Sequence, residues 1–290
     1  MNGPESELNP DLPAPVGDTG DVGDTGDTGD PGDPGDPESN SRRQFVEQLC
    51  KACAVGAPVL LAMLRVAEGQ SAGAVGGYKP EGHLYGLGID VSKCIGCARC
   101  VVACKTENDV PLDPYFFNTW IERYVIRTSG EVQVDSPNGG IDGFPPIADE
   151  ASVLRTFFVP KLCNHCANPP CVQVCPVGAT FSTKDGVVLV DQDYCVGCRY
   201  CIQACPYGAR WFHPVKKVAS KCTLCYHRIV EGKLPACVEA CPTGARVFGD
   251  VEDRATPLSR FMRSNDMQVL KPHLNTEPKV HYANLDGEVR

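Results

Sequence analysis

Cys195-Val-Gly-Cys198-Arg-Tyr-Cys201-Ile-Gln-Ala-Cys205-Pro206 is a C-x2-C-x2-C-x3-C-P run, and its spacing decides how the rest of the chain is read. Three thiolates within seven residues can grip three irons of one iron–sulfur cubane, while the fourth is carried away from them. On this reading Cys205 leaves its triplet at the start of a helix. Pro206 then suits the first turn, where a missing N–H costs nothing. A fourth thiolate that leaves its own triplet ligates another cluster, so the run predicts partner motifs.

Three more are present. Cys94-Ile-Gly-Cys97-Ala-Arg-Cys100-Val-Val-Ala-Cys104 repeats the 2-2-3 spacing, with Lys105 where the proline stood. Cys163-x2-Cys166-x4-Cys171-x3-Cys175-Pro176 has a longer inner loop carrying Pro169 and Pro170, and Cys222-x2-Cys225-x11-Cys237-x3-Cys241-Pro242 has the longest. The four motifs use 16 of the 18 cysteines. Zinc would draw on the same thiols, but a third cysteine only three residues after the second is cramped for tetrahedral coordination. Disulfides fail for a related reason, since closely spaced triplets lack the separation that a cystine needs. His165, inside the second motif, has four cysteines beside it and reads as a residue that supports the ligands or packs behind them rather than as a ligand itself. Arg99, Arg199, Arg210, Lys216 and Lys217 lie near cluster loops. They are either solvated surface or charges that raise cluster potentials.

An apolar fraction of 42%, cysteines included, and an aromatic fraction of 7% make a thin core for 290 residues. Such a chain draws stability from its metal sites. The formal charge of −9 is local: 11 of the 36 acidic residues, and no Lys or Arg, fall in positions 1–40, and from residue 75 onward 23 acidic residues face 23 basic ones. That balance excludes a nucleic-acid footprint.

Positions 1–40 hold Gly, Asp, Pro and Thr, with seven Gly-Asp-x triplets between Gly17 and Pro37. Collagen needs many more triplets, so the composition predicts disorder. Positions 41–74 carry Ser41-Arg42-Arg43-Gln44-Phe45-Val46, an apolar run from Ala52 to Leu64 and Ala72-Gly73-Ala74, the anatomy of a twin-arginine export signal. Thirteen apolar residues are too few to span a bilayer. Cys50 and Cys53, within this signal, read as small apolar residues. Positions 75–250 are the cluster-bearing body. Tyr85–Asp90 and Gly186–Asp191 are extended segments leading into Cys94 and Cys195, each followed by a C-x-G-C turn (Gly96, Gly197). The last cysteines are followed by Pro176-Val-Gly-Ala-Thr180, Pro206-Tyr-Gly-Ala-Arg210 and Pro242-Thr-Gly-Ala-Arg246, which marks an internal repeat of strand, cysteine loop, short helix and strand. Phe181–Asp191 reads as a hairpin about Asp185-Gly186. An insert, 106–154, is rich in strand formers at 115–126, suited to core strands over the cluster domain or to an aromatic docking surface. Positions 251–290 look like an extended docking tail.

With these motifs in hand, and Cys163-Asn-His-Cys166-Ala-Asn-Pro-Pro-Cys171 above all, residues 84–250 resemble the four-cluster electron-transfer subunits of molybdopterin oxidoreductases, the dimethyl sulfoxide, polysulfide, tetrathionate and nitrate reductase group. The resemblance implies an α+β fold of two ferredoxin-like dicluster halves related by an internal repeat, with the strand and loop insert and the tail added. It implies four [4Fe-4S] clusters: cluster 1 on Cys94, Cys97, Cys100 and Cys241; cluster 2 on Cys104, Cys222, Cys225 and Cys237; cluster 3 on Cys163, Cys166, Cys171 and Cys205; cluster 4 on Cys175, Cys195, Cys198 and Cys201. The chain itself shows no paired carboxylates, nucleophile elbow or phosphate loop, so the expected role is a non-catalytic relay of single electrons. The expected partners are a molybdopterin catalytic subunit and a membrane quinone-side subunit, in anaerobic respiration. The alternative is an equivalent subunit of a hydrogenase, multihaem cytochrome or quinone reductase complex. The protein is expected to be peripheral, exported folded to the periplasm or the outer face of the cytoplasmic membrane.

Overall fold

Strand β1 (Tyr85–Asp90) and strand β9 (Arg246–Asp250) pair antiparallel, with Ile89 opposite Arg246. This one ladder brings the first cysteine motif to the last. The computed structural model describes residues 77–289. The low-complexity segment, the Arg42-Arg43 signal and Cys50 and Cys53 lie outside the described residues.

The hairpins follow the same logic. Strands β5 (Thr180–Ser182) and β6 (Val188–Val190) form the expected hairpin about Asp185-Gly186, with Thr180 opposite Val190. Thr180 lies five residues after Cys175 and Val190 five before Cys195, the same offsets by which Arg246 follows Cys241 and Ile89 precedes Cys94. Motifs two and three are thus joined as motifs four and one are, and the internal repeat is a structural one. Strands β7 (Arg210–Phe212) and β8 (Ala219–Lys221) make a further hairpin leading into Cys222. The α+β class stands.

Each third cysteine sits in the first turn of a helix: α1 (Arg99–Glu107) holds Cys100, α2 (Pro170–Gln173) Cys171, α3 (Tyr200–Gln203) Cys201, and α5 (Ala236–Glu239) Cys237. Helix α4 (Tyr226–Ile229) follows Cys225. This corrects one expectation: the helix lies before Cys205, not after it, and Pro206 stops rather than starts it. Proline cannot continue a helix, so α2, α3 and α5, followed by Pro176, Pro206 and Pro242, are four residues long. Helix α1, with Lys105 at that place, runs for nine.

The insert supplies β2 (Thr119–Arg127) and β3 (Val132–Asp135) to a three-stranded antiparallel sheet in the order β3-β2-β4, whose β4 (Val153–Leu162) starts at the insert's end and runs on to Cys163. Its inner residues Ile121, Tyr124, Val125 and Val159 are buried, so core strands form here. The tail departs from the extended strap expected of it. Helix α6 (Pro257–Ser264), capped by the Thr256 hydroxyl accepting from Ser259 N–H, lies on β1 and β9. Strand β11 (Val280–Ala283) joins β1 in parallel, and β10 (Met267–Gln268) closes the sheet order β10-β11-β1-β9. Val280 and Tyr282 alternate inward, and Tyr282, wholly buried, donates its hydroxyl to the Pro160 carbonyl at 3.1 Å. A four-residue strand whose long ladder is to β1, nearly 200 residues away, and whose nearby partner β10 is only two residues long, carries little local pattern.

Candidate iron–sulfur sites

Cys94, Cys97 and Cys100 line one pocket with Cys241, whose motif begins over 120 residues later; Arg246 closes one wall. Cys163, Cys166 and Cys171 line a second pocket with Cys205 and Arg210. In both, a triplet meets the last cysteine of a different motif. Cys104 faces the thiols of Cys222, Cys237 and Cys225, and the Asn108 amide lies 3.5 Å from both Cys104 Sγ and Cys225 Sγ. For Cys175, Cys195, Cys198 and Cys201 the link is the β5–β6 register, and α2 packs on α3 as α1 packs on α5.

The donor set suits a cubane. Among the described residues all sixteen cysteines are free thiols, and no three His, Cys, Asp or Glu side chains converge closely enough to hold a single ion. Tetrahedral zinc needs its sulfurs about 2.3 Å from one centre; a cubane spreads them over four iron corners. Burial pushes the thiols of Cys94, Cys166 and Cys237 up to about 11, with neighbouring thiols adding to the rise. Cys104 and Cys222 are pushed higher by the same causes. Buried thiols that repel one another ionise when iron is bound.

The walls carry hydrogen-bond donors with no acceptor in the protein. His165 is wholly buried and kept neutral, mainly by burial and then by Lys221, Lys279 and Arg210. Its Nδ1 accepts from Val188 N–H at 3.1 Å, so Nε2 carries the proton and finds no partner. Arg210 Nε and Arg246 Nη1 are likewise buried and unpartnered. Such groups are costly unless something accepts from them, and cluster sulfides beside these walls would do so. Of the supporting and packing roles expected of His165, its unpartnered Nε2–H favours the first.

Backbone turns complete the cradle. Gly96 and Gly197 take φ of 71° and 69°, the left-handed conformation glycine favours. His165 and Leu224 hold the same position in motifs two and four, at φ 43° and 55°. Of the five cations marked from sequence, Arg99, Arg199, Lys216 and Lys217 are exposed, and Arg199 stacks 3.9 Å over the Phe212 ring. Arg210 is buried and donates Nη2–H to Cys171 Sγ at 3.1 Å. The sequence reading missed Arg246, Lys221 and Lys279, all buried beside cysteines. The Gly-Ala-Arg echo shared by Arg210 and Arg246 was the signal for the first of them.

The cysteines also grade from outside inward. Cys97 and Cys198 are exposed, whereas Cys104, Cys222, Cys225 and Cys237 are all buried. Cys222 faces Cys163, and both belong to one core with Leu162 and Leu224.

Crossed cysteine motifs around shared cavities define an iron–sulfur protein of the dicluster kind, and a 4Fe-4S dicluster domain matches residues 93–179 and again 154–251. The chain is 47% identical over 207 residues to a tetrathionate reductase subunit of Archaeoglobus fulgidus, covering 71% of this chain and 85% of that one. A tetrathionate reductase subunit of Salmonella typhimurium is 38% identical over 255 residues, 85% and 89% of the two chains. A sulfite dehydrogenase subunit of Allochromatium vinosum is 41% identical over 217 residues, 68% and 81%. The chain belongs to the family of four-cluster iron–sulfur electron-transfer subunits of molybdopterin oxidoreductases, and its cofactors are four [4Fe-4S] clusters.

Proposed function

We propose that the sixteen cysteines ligate as clusters 1 to 4 in the sets given above, and that the chain hands single electrons between a membrane quinone-side subunit and a molybdopterin catalytic subunit. The cavity shared by Cys94, Cys97, Cys100 and Cys241 carries the pairing, because it joins motifs far apart in sequence. The relatives named as tetrathionate reductase and sulfite dehydrogenase subunits favour a molybdenum partner over a hydrogenase or multihaem cytochrome. Each cubane cycles by one electron. The chain's residues would hold four of them, two on sets that include an exposed cysteine (Cys97, Cys198) and one on the wholly buried set Cys104, Cys222, Cys225 and Cys237. Among the described residues no helix is long and apolar enough to cross a membrane, which supports a peripheral place on the complex. Co-purification from cells with intact partners, followed by analysis for molybdenum and tungsten, tests the reading. Molybdenum or tungsten in the complex is expected; iron or haem as its only metal centres would overturn it.

Export is part of the same proposal. Sixteen thiols delivered unfolded to an oxidising compartment would form disulfides, so loading and folding precede crossing. The route that reads Arg42-Arg43 carries folded cargo. Changing both arginines to Lys is expected to leave cluster-loaded protein in the cytoplasm, read by fractionation with iron content; continued export would sink the signal reading.

A further inference from the structure

Arg246, Lys221 and Arg210 are buried, with 3%, 2% and 4% of their surfaces exposed. Among the described residues none of the three has a carboxylate within ion-pair distance. Arg210 and Lys221 stand directly opposite each other in the β7–β8 ladder. A buried unpaired charge is unfavourable, and two like charges facing across a ladder are more so. Among the described residues the anions left to them are sulfur.

Their positions alternate with the cysteine sets. Arg246 lines the cavity of Cys94, Cys97, Cys100 and Cys241 and also faces Cys237, so it touches sets 1 and 2. Lys221 precedes Cys222 of set 2, donates to the Cys222 carbonyl at 2.6 Å and faces Cys163 and Cys171 of set 3. Arg210 lines the cavity of set 3, bonds Cys171 Sγ, and faces Cys201 of set 4.

The two halves supply the guanidinium from different strands. In one half Arg246, after motif four, donates to Thr119 Oγ1 at 2.7 Å, where Thr119 lies on the strand after motif one. In the other half Arg210, after motif three, donates to Thr180 Oγ1 at 3.3 Å, where Thr180 lies after motif two. The repeat relates motif one to three and four to two, so arginine and threonine have exchanged places while the pair survives. One guanidinium per half, at the junction of its two sites, is what the arrangement keeps.

We propose that Arg246, Lys221 and Arg210 form a cation ladder interleaved with the clusters, Arg246 between 1 and 2, Lys221 between 2 and 3, and Arg210 between 3 and 4. Each is a positioning charge that offsets the repulsion an electron meets on stepping to a neighbour. The two guanidiniums stay charged throughout, so the offset they would supply to an electron arriving on either side takes up no proton. The inference rests on the ligand pairing proposed above.

Redox titration of the purified full chain, followed by electron paramagnetic resonance with iron content measured in parallel, tests it. Arg246→Gln is expected to lower the midpoint potentials of clusters 1 and 2 together, changing their reduced-to-oxidised ratio at fixed potential roughly tenfold (~59 mV for one electron). Clusters 3 and 4 stay in place, and Arg210→Gln gives the reverse pattern. Arg246→Lys keeps the charge and most of the potential, and Arg99→Gln, exposed on the surface, moves none of the four. A Gln variant that fails to load iron while the Lys variant loads fully also supports the ladder. Loaded Gln variants with unmoved potentials, or Lys variants that lose iron as the Gln variants do, overturn it. Paired shifts that fall on clusters other than those named overturn the ligand pairing, and the order of the ladder with it.

Discussion

The Cys241 thiol sits 3.7 Å from the Thr243 hydroxyl, with the backbone N–H groups of Arg246, Ala245 and Thr243 turned toward it. Burial raises this thiol, but these donors outweigh burial and hold it below the usual thiol value. Cys175 is held low in the same way, against burial, by the N–H groups of Thr180, Val177 and Ala179. The Pro-x-Gly-Ala echo after these cysteines is therefore a device: proline ends the helix, the left-handed glycine (Gly244 at φ 64°, Gly178 at φ 69°) turns the chain, and amides point back at sulfur. Cys241→Ser is expected to remove or convert the cluster held by Cys94, Cys97 and Cys100, read by resonance methods on the single variant; a loss confined to the cluster of Cys222, Cys225 and Cys237 would refute the crossed pairing. Gly197 is constrained twice, since its φ is positive and an added Cβ would run into the Lys217 carbonyl. Left-handed backbone costs a non-glycine residue ~1–2 kcal/mol before any clash. Gly197→Ala is expected to depress occupancy of cluster 4, so iron falls by about a quarter by cubane arithmetic. Gly178→Ala, with open space around its Cβ, should fall much less. Equal iron in both variants would count against the steric account.

Among the elements, helix α6 shows how glycine in a strand serves packing. Leu258 is wholly buried against β1 and β9, and a Cβ on Gly88 would come within 2.6 Å of the Phe261 ring. The strand forgoes side chains so that the helix can lie flat on it. Leu258→Ala is expected to destabilise the protein by about 2–5 kcal/mol, the range for buried leucines, seen as a lower unfolding midpoint with iron content unchanged before unfolding. A midpoint within error of the parent would mean that α6 is a loose appendage. The cysteine helices were half legible beforehand. Their existence followed from spacing, but their place, before the fourth cysteine, follows from the proline stop, and the long α1 from Lys105 standing where that stop is missing. Strand β1 was read from sequence with the bounds it has in the fold. Strand β11 was not, because its main partner β1 lies far away in the chain and four residues carry too short an alternation to be recognised.

For the whole molecule, the four clusters predict about 16 iron and 16 acid-labile sulfide per chain, from four cubanes of four each. The purified protein should be brown and bleach on reduction. Stoichiometric zinc in a colourless protein would refute the cluster reading. The sequence by itself determined the cofactor class and the internal repeat, because thiolate spacing along a short loop fixes which metal centre can be gripped. It also carried the family resemblance, since that rests on the same local motifs. Only the tertiary structure decided that Cys241 meets Cys94 and that the tail closes the central sheet. It alone buried Arg210, Lys221 and Arg246 beside cysteines. Those facts depend on strand register between segments far apart in the chain, and on burial. Arg210 and Arg199 look alike as letters near a cysteine loop, yet one is buried against Cys171 and the other lies on an exposed ring. Burial is a property of everything packed around a residue, and no stretch of sequence contains it.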